Sequence, residues 1–491
     1  MNSPTGKNIF TLCGIVILMF LVTLDVFAGD WNQLGRMMRW IAIVGGLYGL
    51  IFPKRGVLVF LVSLFYLDFL KRLLILWSGT SMQDVMVSIG AGPVIIVAIC
   101  ISCTILIIAQ RIKFGKFGDW LFYLGCVVVS VSGIFGEGED WMERGQAMMG
   151  SSLVGMTALA SYCLYRERAD SLKLLKVLVI GALPMALYTA WQYFNGIAMW
   201  EEEYIQTGLS ATLYNFYLVD GGVEYMRPFS TLNLHPSVGA VSGVLCILAF
   251  LLCGNREGIG TKAFYSMIGV IFFSSMLFAQ NRTTYFIPLF YLAFTWGFKN
   301  QGRTLLLYTV GVILFGLMIH YSAFIYDNIN AWSDGLTSTP VGEKLGTLGT
   351  YQDRLEGFMN LSEVENWKPL GFEEGFEPLS HDPLSMILFR FGYVPLGSML
   401  AAVAGVLVVW HRKLYKMQSD DDRIYYTRLT AVVAALVLSG LLYGNLLFVS
   451  PVNAVLGALV GVVFGGIRDT GRRNLGRSMS DLNAENTDNG E

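Results

Sequence analysis

The sequence predicts an all-helical, polytopic membrane protein with about fourteen transmembrane helices and one large external loop between the eleventh and the twelfth. Three observations predict it. Of 491 residues, 54% are hydrophobic and only 14% charged, where a soluble domain carries about 25% charged residues. Apolar runs long enough to cross a ~30 Å hydrocarbon core as helices recur from one end of the chain to the other. Lys and Arg concentrate in alternate connections, the pattern that sets membrane orientation.

Taken in order, the expected spans are 9–28, 37–52, 56–76, 93–111, 118–136, 148–165, 173–193, 236–253, 263–279, 283–299, 303–323, 383–410, 426–446 and 451–467. The first run is too long for a signal-peptide core and has no convincing cleavage site, so it is retained as a span. Residues 1–470 form one membrane domain, and the Asn-, Asp-, Ser- and Glu-rich stretch 471–491 reads as a disordered cytoplasmic tail. With the N-terminus inside, the cytoplasmic segments hold Lys54 and Arg55; Arg111, Lys113 and Lys116; Arg166, Arg168 and Lys173; Arg256 and Lys262; Lys299 and Arg303; Arg412, Lys413, Lys416 and Arg423; and Arg468, Arg472, Arg473 and Arg477. Both termini come out cytoplasmic. The opposite face carries Glu137, Glu139 and Asp140 in one loop and Glu201, Glu202 and Glu203 in another, with Arg36, Arg39 and Arg144 against the trend.

Two external segments stand out by length, about 194–235 and 324–382. The second contains Trp332, Tyr351 and Trp367 and is expected to fold over the membrane domain. All seven cysteines fall in or beside apolar runs, which argues against a disulfide framework; Cys100-x-x-Cys103 has no second pair for a metal site. The net charge of −2 indicates no partner, and no nucleic acid, metal or cofactor is expected.

Basic residues are sparse on the external side of the second half of the chain. Arg227 lies in Tyr225-Met-Arg-Pro-Phe-Ser-Thr-Leu-Asn-Leu-His-Pro236, Arg282 in Gln280-Asn-Arg-Thr-Thr284 and Arg354 in Tyr351-Gln-Asp-Arg-Leu-Glu356. His381 precedes Asp382 and Pro383, a residue pair that starts a helix: Asp accepts from free backbone N–H groups and Pro at the first helical position loses no hydrogen bond. The spans beginning near 236, 283 and 383 all run inward, so each sets the positive end of its dipole at the external surface, where an anion could meet three helix ends and three guanidiniums. Set against this, interfacial arginines commonly snorkel to head groups, and a His beside a helix start is commonly a surface or capping residue. Proximity to that helix start also favours the neutral imidazole that a general base needs. Arg390, two to three turns below His381, either extends the basic site into the membrane or faces another helix. Asp68 with Lys71 or Arg72 has the spacing of a local ion pair.

The order Arg-Pro-Phe-Ser-Thr-x-Asn-x-His-Pro, then Asn-Arg-Thr, then Gly-Phe-Glu-Glu-Gly, His-Asp-Pro-Leu and Phe-Gly-Tyr-Val-Pro-Leu-Gly, over roughly residues 225–400, resembles the O-antigen ligase and O-antigen polymerase superfamily. The resemblance implies a metal-independent glycosyltransferase of the bacterial inner membrane. It would take an undecaprenyl diphosphate-linked glycan as donor and a lipid- or glycan-linked acceptor. By position, Arg227 and Arg282 would bind the diphosphate, Arg354 would match a loop arginine, and His381 would activate or orient the acceptor hydroxyl. This chain has Asp382 where the family commonly has Asn, and Asn281 where Ser is frequent. The rival class is a polysaccharide transporter or lipid flippase, in which internal repeats and interrupted helices near the midplane are common; no repeat is visible here.

Overall fold

The computed structural model describes residues 34–78, 82–112, 114, 117–131, 141–207, 217–220, 223–232, 234–254, 258–321, 393, 411–417, 419–441 and 449–469. The expected span 9–28, the loop 324–382 and the tail 471–491 lie outside these. Among the described residues the chain runs α1 (Leu34–Ile51), α2 (Pro53–Ser63), α3 (Leu67–Ser78), α4 (Met82–Ile108), α5 (Phe117–Val131), α6 (Trp141–Leu164), α7 (Arg168–Gly181), α8 (Leu183–Asn195) and α9 (Met199–Gln206). The antiparallel strands β1 (Tyr217–Asp220) and β2 (Val223–Met226) follow, then α10 (His235–Gly254), α11 (Ile259–Phe278), the 3-10 turn η1 (Arg282–Tyr285), α12 (Phe286–Gly297), α13 (Gln301–His320) and α14 (Asp420–Leu441). A final helix, α15, covers Val452–Asp469.

Among the described residues, four helical stretches are long and apolar enough to cross a membrane: Arg168–Asn195, which is α7 and α8 taken together, His235–Gly254, Ile259–Phe278 and Val452–Asp469. Shorter apolar helices occur at Trp40–Ile51, Gly92–Ile108, Phe117–Ser130 and Ser152–Leu164. The chain is thus helical and built of membrane-type helices. α10 is the central one, with Val244, Leu245, Leu248 and Leu252 fully buried, and it packs against α7, α8, α11, α12 and α14.

Lipid tails are as apolar as Leu, so helices in a bilayer associate largely through close packing and hydrogen bonds. α15 meets α6 in this way. Gly457, Gly461 and Gly465 recur every four residues, and a Cβ on any of them would run into the α6 backbone, at the Val154 carbonyl, the Ala158 carbonyl and the Tyr162 carbonyl in turn. α1 approaches α4 by the same device, since Cβ atoms on Gly45 and Gly49 would each come 2.7 Å from Ile95 and Ile99.

Two expected spans are broken. The run 56–76 divides into α2 and α3 at residues 64–66, and 173–193 divides into α7 and α8 at Ala182. Pro184 accounts for the second break: in the first turn of α8 it costs nothing, but it cannot donate to α7. The breaks touch each other, because the Tyr66 hydroxyl donates to the Gly181 carbonyl at 2.5 Å. A Cβ on Gly181 would also lie 2.7 Å from the Val62 side chain.

Charged residues form a layer at one end. Lys54 pairs with Asp170 at 2.5 Å and Arg168 with Asp422 at 3.0 Å, while Arg468 pairs with Asp119. Tyr162 joins the last pair, donating to Asp119 at 2.7 Å and accepting from Arg468 Nη1 at 3.1 Å. Lys54, Arg168 and Arg468 come from segments to which the sequence assigns one face.

Candidate functional site

At the other end, the segment Arg227–Leu232 dips into the bundle without regular structure, which is tolerable at depth only if its backbone is satisfied by protein. Ser230 meets that demand with a left-handed backbone, φ 55°. Its N–H donates to Gln192 Oε1 at 2.6 Å, its hydroxyl donates to the Met185 carbonyl at 2.6 Å, and its carbonyl accepts from Arg72 Nη2 at 2.6 Å. Thr231 donates to the Phe65 carbonyl at 2.6 Å, in the break between α2 and α3. Ser230 and Thr231 therefore tie the segment to the two interrupted helices.

Beneath them lies a buried ion pair that the sequence reading missed. Arg72 Nη1 stands 3.0 Å from Glu201 Oε1 with both side chains fully buried. The carboxylate also accepts from Gln192 Nε2 at 3.0 and 2.9 Å and from the Ala198 N–H at 3.2 Å. Burial raises the Glu201 pKa above the ordinary carboxylate value, with Arg72 and Gln192 acting against it. The Arg72 guanidinium lies 4.8 Å from the Phe229 ring centroid, so the segment's aromatic residue is held as well. The expected local ion pair exists for Lys71, 3.4 Å from Asp68. Arg72 donates from Nε to the Asp68 carbonyl at 3.3 Å and directs Nη1 to Glu201 of α9. One signal was available: Asp68 is a single carboxylate beside two cations, which leaves one of them in need of a distant partner.

Held by these contacts, half-buried Arg227 places Nη1 3.5 Å from His235 Nε2 at the start of α10. A guanidinium only donates, so this imidazole nitrogen faces it as an acceptor. His235 thus has a closer relation to the basic segment than helix initiation alone.

Arg282 is the first residue of η1. The turn is set by Asn281, whose Oδ1 accepts from the Thr283 N–H at 3.1 Å, by the Thr284 hydroxyl, which donates to the Asn281 carbonyl at 2.8 Å, and by Ser439 of α14, which donates to the Thr283 carbonyl at 3.1 Å. Gly239 lets this turn lie directly on α10: a Cβ there would sit 2.6 Å from Thr284 Oγ1. One turn on, Gly243 faces Ile287, the corresponding distance to its Cβ being 3.5 Å. Residue numbers rise together along both contacts, so α10 and η1–α12 run parallel. His235 lies one turn before Gly239 on α10, at the same end as η1.

The structure therefore brings together the segments of Arg227 and Arg282 at two neighbouring, parallel helix starts. Arg354, His381 and Arg390 lie outside the described residues. Such a pair of helix starts with adjacent guanidinium-bearing segments favours an anion. Compared with known protein families and with curated proteins, the chain matches none of them.

Proposed function

We propose that this chain is a membrane glycosyltransferase of the O-antigen ligase or polymerase kind, moving a glycan from an undecaprenyl diphosphate-linked donor to a lipid- or glycan-linked acceptor on the external face of a bacterial plasma membrane. The observation that carries this reading is the parallel packing of α10 and η1–α12, which sets the Arg227 and Arg282 segments side by side. In this reading Arg227 and Arg282 hold the diphosphate, Arg354 and Arg390 extend the basic site, and His381 takes the proton of the acceptor hydroxyl. The acceptor oxygen bonds to the anomeric carbon, the bond from that carbon to the phosphate oxygen breaks, and undecaprenyl diphosphate leaves. Guanidiniums and helix dipoles stabilise the charge that develops on the leaving group. About fourteen spans, the external loop 324–382 and cytoplasmic termini complete the proposal.

The test is transfer itself. Purified protein in lipid nanodiscs should attach a labelled glycan from the lipid diphosphate to acceptor with chelator present. His381→Ala should abolish transfer while retaining donor binding. Arg282→Ala should weaken donor binding, a charge-assisted contact contributing about 1.5–3 kcal/mol. Normal transfer by both folded variants would refute the site. Glycan-lipid flux across liposomes without product would establish the transporter class instead.

A further inference from the structure

We propose that Asn281 is a substrate-binding residue whose side-chain amide donates to a phosphate oxygen of the lipid diphosphate, a role that rests on the function proposed above. Asn281 is 5% exposed. Its Oδ1 is committed to the Thr283 N–H at 3.1 Å, which fixes the orientation of the amide, since only the oxygen can accept there. Its Nδ2 is buried and has no hydrogen-bond partner among the described residues. A buried donor left unmet costs about 1–3 kcal/mol, so this amide requires an acceptor. The position of Asn281 indicates which acceptor. It immediately precedes Arg282 and caps the start of η1, and Thr284 of that turn lies against Gly239, one turn beyond His235, which Arg227 contacts at 3.5 Å. Every neighbouring feature favours an anion with several oxygens: two helix starts, two arginine-bearing segments and a neutral N–H donor with a fixed direction.

The cap and the donor are separable. Asp accepts from the Thr283 N–H as Asn does, and a carboxylate at a helix start is favourable, but it offers no N–H and repels phosphate. Ser also caps, without charge and without the amide. Full-length wild type, Asn281→Asp, Asn281→Ser and Arg282→Ala should be reconstituted in nanodiscs and titrated with undecaprenyl diphosphate, with inorganic pyrophosphate and with phosphatidylglycerol, the melting temperature being read alongside. The expected result is that Asn281→Asp melts at or above wild type and loses undecaprenyl diphosphate affinity by at least about tenfold, with Asn281→Ser losing less. Pyrophosphate should bind more weakly and follow the same order, while phosphatidylglycerol should not discriminate among the variants. The inference is overturned if both Asn281 variants bind undecaprenyl diphosphate within about twofold of wild type while Arg282→Ala loses it. It is also overturned if affinity falls only in proportion to a lowered melting temperature in both Asn281 variants. Absence of lipid diphosphate binding by wild type would instead remove the functional reading on which it rests.

Discussion

A guanidinium and a carboxylate can be buried together only when their hydrogen bonds are met, and Arg72 and Glu201 satisfy this with Gln192, Ala198, Asp68 and Ser230. Such a pair contributes less to stability than its geometry suggests, yet removing one member is severe because the other is left charged in a dry site, at a cost of about 3–5 kcal/mol. Arg72→Met should therefore lower stability by about that amount at neutral pH. The pH dependence follows from Glu201. Its pKa is already raised by burial, and losing Arg72 removes an opposing influence and raises it further. A carboxyl raised in the folded state stabilises fully below its unfolded pKa and loses that contribution as pH rises through the folded value. Denaturation of Arg72→Met should accordingly show its deficit widening with rising pH and narrowing as pH falls toward the ordinary glutamate value of about 4.3, and Arg72→Met/Glu201→Gln should recover most of the loss. A deficit that does not change with pH would mean Glu201 stays ionised. At this scale the sequence disclosed Lys71–Asp68, three residues apart, but not Arg72–Glu201, separated by 129 positions. Spacing rules reach one or two helical turns; the partner across the fold is settled by packing.

Small residues, not only apolar pattern, set how closely some helices approach, as the contact of α15 with α6 illustrates. Gly461→Leu would force a side chain against the Ala158 carbonyl and the Tyr162 N–H, and the helices would have to part. Overpacking of this kind costs about 1–3 kcal/mol, so its melting temperature in detergent should fall. Gly125→Ala should not fall with it, because a Cβ there meets nothing within 4 Å. Equal melting of both variants would show that the glycine seam does not bear on stability. Among the described residues, apolar helices lie where hydropathy marks them. The interruptions were only partly legible in the sequence. Pro184 is a visible signal at the α7–α8 break, whereas Leu64-Phe65-Tyr66 contains neither Gly nor Pro, and the break there is held from outside by Thr231 and by the contact of Tyr66 with Gly181. The hairpin and the short α9 between the seventh and eighth expected spans likewise escaped a reading that saw only an external loop.

Across the whole molecule, the two polar layers fix a distance that bears on how the chain sits in a bilayer. Asp170, paired with Lys54, and Gln192, bonded to Glu201, mark opposite ends of α7–α8. At about 1.5 Å per residue they stand at most about 33 Å apart across the break at Ala182, a span of the order of the ~30 Å hydrocarbon thickness. Segments that the sequence assigns to one side meet at each layer. Lys54, Arg168 and Arg468 find their acids at one end, and the helix starts beside Arg227 and Arg282 lie at the other. The distribution of basic residues in the sequence predicts one orientation for such a bundle, with the Lys54 layer toward the cytoplasm and the Glu201 layer toward the exterior. With the seven native cysteines replaced, single cysteines at Glu203, exposed beyond α9's buried Glu201, and at Ser338 should react with an impermeant thiol reagent added to intact cells. A cysteine at Ser419, exposed just before α14, should react only after the membrane is opened. If Ser419→Cys labels from outside and Glu203→Cys does not, the orientation is inverted. The anion-favouring helix starts would then face the cytoplasm, and an externally acting transferase at this site would be ruled out.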